Sequence, residues 1–100
     1  MLKHIVMWKL KEWAEGVSKE ENALKIKTRL ESLKNEIKEI TAIEVGINSN
    51  DTADSNDIVL YSEFKSKEDL VRYLDHPEHK KMGDFIGKVR VERSVVDYEV

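Results

Sequence analysis

The 100-residue sequence contains no cysteine, a single proline and four glycines, and only 7% of its residues are aromatic. Without cysteine the chain has no disulfide framework, no cysteine-ligated zinc site and no thiolate nucleophile. It also lacks an apolar run near the ~20 residues that cross a membrane. The beginning Met1-Leu2-Lys3 does not resemble a secretory signal. We therefore expect a cytoplasmic protein that has no membrane partner.

Charged residues make up 37% of the chain, but the two signs are mixed and the net charge is only −3. No basic face is available for a phosphate backbone, so nucleic-acid binding is not expected. The sequence contains no flavin, nicotinamide or phosphate-binding motif. Asp51, Asp54 and Asp57 do not have the spacing of a calcium loop. We therefore predict no cofactor and no metal site.

Two segments, Leu2–Leu10 and Ile58–Phe64, read as β-strands from their period of two and their β-branched and aromatic residues. We predict further strands at Ile43–Ile47 and Arg93–Val100, and a hairpin loop in the polar stretch 48–57. The first strand carries large apolar groups on both faces. One face holds Leu2, His4, Val6, Trp8 and Leu10, and the other holds Lys3, Ile5, Met7 and Lys9.

Two helices are predicted between these strands. Ser18 opens a capping box, and apolar residues spaced three and four apart then form a stripe over about residues 19–38. Ser66 provides a similar hydroxyl cap for the second helix. Pro77 has no backbone N–H and disfavours helical geometry at His76. The second helix is therefore expected to break at this point and restart.

The predicted order is strand, helix, strand, strand, helix, strand, which indicates one ferredoxin-like α+β domain over residues 1–100. Two helices can cover only one face of its four-stranded antiparallel sheet. The other face would normally be polar if it met water, yet the first and third strands are apolar on both faces. The simplest cover is a second copy of the chain, so we expect a homodimer with a barrel-like core.

Three stretches together resemble a known family. They are Lys3-His4-Ile5-Val6, the helix break Tyr73-Leu74-Asp75-His76-Pro77-Glu78-His79, and Val95-Val96-Asp97-Tyr98. This pattern is similar to that of the stress-responsive dimeric α/β-barrel (Dabb) family over nearly the whole chain. The resemblance implies a dimeric α+β barrel, in some members assembled into larger rings, and a non-catalytic or ligand-binding domain associated with stress.

The same resemblance implies a candidate catalytic set. One plant branch of the family includes a polyketide cyclase that closes a ring by aldol condensation, using a tyrosine and the second histidine of the His-Pro-x-His piece. By position these are Tyr73 and His79, and His4 lies near the same pocket. Ile58 stands where that enzyme has a further histidine.

The chemistry of these residue types agrees with such a role. His79 has a suitable pKa for a general base near neutrality, and Tyr73 can stabilise an enolate oxygen. The alternatives are structural: a helix cap for His76, a backbone hydrogen bond for His79, and core packing for Tyr73. A metal site formed by the three histidines is not favoured, because no carboxylate completes the set. We predict that the ligand pocket is lined by Val6, Trp8, Leu10, His76, Met82 and Phe85.

Three functions remain open. The first is a stress-associated dimeric domain that binds a small apolar or aromatic ligand in a cleft between helices and sheet. The second is a cofactor-independent cyclase or lyase acting on a carbonyl compound, and the third is a cofactor-free monooxygenase. An enclosed apolar cavity of about 300 Å³ or more beside Tyr73 and His79 would favour an enzyme. A cavity filled by Met82, Phe85 and Trp8 would favour a binding or structural role.

Overall fold

A computed structural model describes residues 1–100. Its strands are β1 (Leu2–Leu10), β2 (Trp13–Ala14), β3 (Val17–Ser18), β4 (Ala42–Ile47), β5 (Ile58–Phe64) and β6 (Arg90–Glu99). Its helices are α1 (Lys19–Ser32), a short 3-10 helix (Leu33–Asn35), α2 (Lys67–Asp75) and α3 (Pro77–Val89). The main sheet is antiparallel with the order β4-β5-β1-β6, while β2 and β3 form a separate hairpin. The predicted ferredoxin-like α+β class is confirmed.

The helix boundaries follow from local capping. Ser18 Oγ accepts a hydrogen bond from the backbone N–H of Glu21 at 3.3 Å, and Ser66 Oγ accepts one from Asp69 at 3.2 Å. Each hydroxyl satisfies a backbone donor that the first turn of a helix leaves free. His76 has an extended backbone conformation between α2 and α3. The predicted break before the proline is therefore present.

Three details of the predicted secondary structure were wrong. The first helix ends at Ser32 rather than near Lys38, because the chain tightens into a 3-10 helix and then a turn. Its last apolar residues, Leu33, Ile37 and Ile40, are still buried, so tertiary packing uses the stripe without continuing the helix. The last strand begins at Arg90 instead of residue 93. The hairpin of β2 and β3 was not predicted.

The core lies between the helices and the sheet face that carries Leu2, His4, Val6, Trp8 and Leu10, all of which are buried. We call the opposite sheet face the open face. Strand register places on it the side chains Ile5, Met7, Val59, Tyr61, Val96 and Tyr98. Met7, Val96 and Tyr98 remain 37%, 51% and 41% exposed, respectively. No part of the chain covers this apolar surface.

The two edges of the sheet differ. At the β4 edge, the backbone of Val45 is occupied by α1: its N–H donates to Glu31 Oε2 at 3.0 Å, and its carbonyl accepts from Lys27 Nζ at 2.6 Å. The β6 edge has no such cover, and residues 91–99 are exposed. None of the helices is both long and apolar enough to cross a membrane.

Candidate functional site

A cavity of about 210 Å³ lies between the sheet and the helices α1, α2 and α3. Its apolar wall consists of Val6, Trp8, Leu30, Leu60, Met82 and Ile86. The cavity is smaller than the volume that we expected for an enzyme, yet Trp8 and Met82 line it without filling it. A larger groove of about 340 Å³ between α1 and α3 is lined mainly by polar and charged side chains. The smaller cavity is the one that adjoins Tyr73 and His79.

Tyr73 projects from α2 and is fully buried. Its ring packs against Phe64, with centroids 4.9 Å apart, and against His79, with centroids 4.5 Å apart. Its hydroxyl oxygen is buried and has no hydrogen-bond partner. Burial raises the pKa of Tyr73, so the hydroxyl keeps its proton and acts as a hydrogen-bond donor near neutral pH.

His79 lies in the first turns of α3, where its ring borders the cavity. Its Nδ1 is 3.1 Å from the carbonyl oxygen of Leu74. A carbonyl only accepts hydrogen bonds, so Nδ1 carries the proton and Nε2 is the basic nitrogen of the ring. Burial lowers the pKa of His79 below its usual value, and the nearby His4, Arg93 and His76 act in the same direction. The neutral imidazole required of a base is therefore the favoured form.

His4 reaches the cavity from β1, and only 3% of it is exposed. Its Nδ1 lies 2.5 Å from Asp97 Oδ1 on β6. The carboxylate accepts this hydrogen bond, which places the proton on Nδ1 and leaves Nε2 as the free position. The His4 and Tyr73 rings meet edge to face, with centroids 6.2 Å apart. Asp97 was not among the predicted site residues, because only the pairing of β1 with β6 brings it opposite His4.

Three of the predicted pocket residues do not line the cavity. His76 caps α3, with Nδ1 accepting from the backbone N–H of Glu78 at 3.1 Å. Phe85 is partly buried, and the guanidinium of Arg29 lies 5.2 Å from its ring centroid. Leu10 is buried at the end of β1. Val6, Trp8 and Met82, by contrast, belong to the wall together with His4, Tyr73 and His79.

Seven further residues line the cavity and were missed by the sequence analysis: the apolar Leu30, Leu60 and Ile86, and also Gly83, Gly87, Arg90 and Arg93. The two glycines border open space: a Cβ atom added at either one would meet nothing within 4 Å. Strand register places Arg93 opposite Trp8. In the sequence, the period of two places Arg93 on the same face of the last strand as Asp97. This pattern alone does not show which face of the sheet the helices cover.

These groups define a small apolar cavity with a few polar atoms. A neutral phenol can donate to a ligand oxygen, while imidazole nitrogens can accept a proton or a hydrogen bond. No three His, Asp or Glu side chains are close enough together to hold a metal ion.

A four-stranded antiparallel sheet with its helices on one face and a cavity between the two layers defines a ferredoxin-like α+β domain. Residues 2–100 match the family described as Stress responsive A/B Barrel Domain, or Dabb. The chain therefore belongs to the Dabb family, which confirms the resemblance found in the sequence.

Several solved structures share this fold. A dimeric protein of unknown function with a ferredoxin-like fold from Bacteroides fragilis is 37% identical, with a TM-score of 0.84 over 99% of this chain and 95% of that one. A dimeric ferredoxin-like protein from Thermobifida fusca is 19% identical, with a TM-score of 0.82 over 99% and 90%. The hydroxynitrile lyase of Passiflora edulis is also 19% identical, with a TM-score of 0.82 over 99% and 92%. A comparison with curated proteins gave no match.

Proposed function

We propose that this Dabb domain binds a small, largely apolar ligand in the cavity between helices and sheet. The observation that carries the proposal is that Tyr73 lines the cavity and that its buried hydroxyl has no hydrogen-bond partner. A buried polar group left unsatisfied costs about 1–3 kcal/mol, and native proteins keep few of them. A ligand oxygen that accepts from Tyr73 would remove this cost.

The volume of the cavity sets the size of the ligand. An apolar cavity of about 150 Å³ is known to accommodate benzene. The cavity here measures about 210 Å³, which suits one substituted ring or a short chain. The apolar wall would bind the body of the ligand, while His4 and His79 offer acceptor nitrogens beside the tyrosine.

A second candidate function is cofactor-independent catalysis on a carbonyl compound. It is favoured by the 4.5 Å separation of the Tyr73 and His79 rings. In such a reaction His79 Nε2 would take a proton from the carbon next to the carbonyl, and the Tyr73 hydroxyl would stabilise the enolate oxygen. The lyase of Passiflora edulis has the same fold, but its low identity makes it a comparison of fold alone.

We also propose that the functional unit is a homodimer joined through the open face. Burying one large apolar side chain is worth roughly 1.5–3 kcal/mol, so several exposed at once would be a substantial loss. The open face carries six large apolar or aromatic side chains on three adjacent strands, and three of them, Met7, Val96 and Tyr98, are exposed. The similar proteins from Bacteroides fragilis and Thermobifida fusca are described as dimeric.

The ligand proposal is tested by an NMR titration of the purified protein with neutral aromatic and polyketide-like compounds. We expect shifts in the amides of Gly83 and Gly87, and we expect Tyr73→Phe and His79→Ala to weaken binding. Tyr61→Phe is the matched control, because that hydroxyl lies on the open face and bonds to Lys3 and Glu63. Binding that neither cavity variant changes would overturn the proposed site.

The dimer proposal is tested by sedimentation at micromolar concentration. The wild-type chain should sediment at twice its mass of 11.6 kDa, and Val96→Glu should produce monomers. Val71→Glu is the matched control, because Val71 is 53% exposed on α2, away from the open face. A folded wild-type monomer would contradict the proposal.

A further inference from the structure

Two arginines are among the residues that line the cavity. Arg93 is exposed on β6, and Arg90 is half-buried where α3 meets that strand. The other polar residues that line the cavity are His4, Tyr73 and His79, and the remaining ones are apolar or glycine. Neither takes part in any ion pair within the chain.

None of the 13 residues that line the cavity is an aspartate or a glutamate. This is unexpected in a chain that is acidic overall, with a net charge of −3. Asp97, on the same strand as Arg93, is already engaged, because it accepts the hydrogen bond of His4 Nδ1. The positive charge of Arg93 acts on the site, since it contributes to the lowered pKa of His79. The cavity is thus a local positive region with an apolar interior.

We propose that the ligand of this site is an amphipathic carboxylate, with an apolar or aromatic body in the cavity and its carboxylate between Arg90 and Arg93. This inference rests on the proposed ligand-binding function and names the chemical class of the ligand. A planar guanidinium matches a carboxylate with two parallel N–H···O bonds, which are stronger than neutral hydrogen bonds. The Tyr73 hydroxyl, which is buried and has no partner in the chain, donates to an oxygen on the body of the ligand.

The experiment compares two probes of nearly equal shape, 3-phenylpropanoate and its neutral amide, by calorimetric titration at pH 7.5 and low salt. The carboxylate should bind about tenfold more tightly, as expected for one charge-assisted contact. Arg90→Gln and Arg93→Gln should each reduce this ratio, and the double variant should bring it close to one. Raised salt should reduce the ratio too, because Arg93 is exposed to solvent.

Arg72→Gln is the matched control. Arg72 is an exposed arginine on α2 whose only ion pair is with Asp69, so the variant removes the same charge away from the cavity and should keep the wild-type ratio. If Arg72→Gln lowers the ratio as much as Arg93→Gln does, the effect comes from net charge and the proposal is wrong.

Two further outcomes separate this inference from the proposed function. If both probes bind equally well and both shift the amides of Gly83 and Gly87, the anionic class is overturned while ligand binding in the cavity stands. If neither probe shifts these amides, the carboxylate proposal is overturned. The neutral-compound titration described above then decides the ligand-binding function separately.

Discussion

Gly83 and Gly87 lie one helical turn apart on α3, and both border the cavity. A Cβ atom at either position would meet no atom within 4 Å. Packing therefore does not require glycine at these positions, although glycine in a helix interior costs about 0.5–1 kcal/mol relative to alanine. The two glycines therefore lower the stability of the helix and leave open space where it borders the cavity.

Replacing these glycines should separate stability from binding. Gly83→Ala and Gly87→Ala should each raise the free energy of unfolding by about 0.5–1 kcal/mol, because alanine is the better helix former. The double variant should weaken ligand binding by about 1 kcal/mol or more, since the added methyl groups overpack the occupied cavity. Urea unfolding and NMR titration with a bound compound measure the two effects.

The matched control is a glycine with a different requirement. Gly16 has a φ of 80° in the turn between β2 and β3, a conformation that alanine adopts poorly. Gly16→Ala should therefore destabilise the protein and leave ligand affinity unchanged. If Gly83→Ala lowers stability as Gly16→Ala does, the space beside α3 is not as open as the structure indicates.

Much of the fold was predictable because its information is local. Leu2–Leu10 and Ile58–Phe64 were predicted at their observed bounds, since β-branched and aromatic residues at a period of two are a strong signal. The helix after Ser18 was predicted to be too long, because the spacing of buried apolar residues is similar in a helix and in the turns that follow it. The hairpin around Gly16 was missed because strands of two residues have no period to detect.

The candidate site was predictable only in part, because a site depends on which elements become neighbours. Tyr73 and His79 come from one short motif, so their proximity could be expected from the sequence. Arg93 and Asp97 reach the site through the pairing of β6 with β1, which no local pattern specifies. His76 was assigned to the pocket by the same motif, but its ring is used to cap α3.

Removing the unpartnered hydroxyl should not destabilise the ligand-free protein. Tyr73→Phe keeps the ring contacts with Phe64 and His79 and removes a buried donor that has no acceptor. We expect the free energy of unfolding to stay the same or rise by about 1 kcal/mol. Tyr61→Phe should lower it, because the Tyr61 hydroxyl bonds to Lys3 and Glu63. A clear loss of stability in Tyr73→Phe, measured by urea unfolding, would mean that its hydroxyl has a partner in solution.

The titration of His79 tests the electrostatics of the cavity. Burial, reinforced by Arg93 and the other histidines, lowers the pKa of His79 below its ordinary value of 6.5. The ring should therefore titrate below pH 6.5 by NMR, and Arg93→Gln should move the midpoint upward. Because the folded pKa is lowered, the contribution of His79 to stability is complete above pH 6.5 and is lost as the pH falls toward the folded pKa. A midpoint above 6.5 would contradict this description.

The pairing of His4 with Asp97 links the cavity to the last strand. His4 is buried, so a variant that removes the acceptor leaves an unsatisfied ring N–H in the core. Asp97→Ala should lower the free energy of unfolding by about 1–3 kcal/mol, and Asp97→Asn, which keeps an acceptor oxygen, should lower it less. Glu92→Ala is the control from the same strand, because its contact with Lys9 is long at 3.9 Å and Glu92 is 63% exposed. That change should cost less than about 1 kcal/mol. Equal losses in Asp97→Ala and Glu92→Ala, measured at one protein concentration, would show that the hydrogen bond between His4 and Asp97 adds no more stability than a surface ion pair and that His4 is held by packing alone.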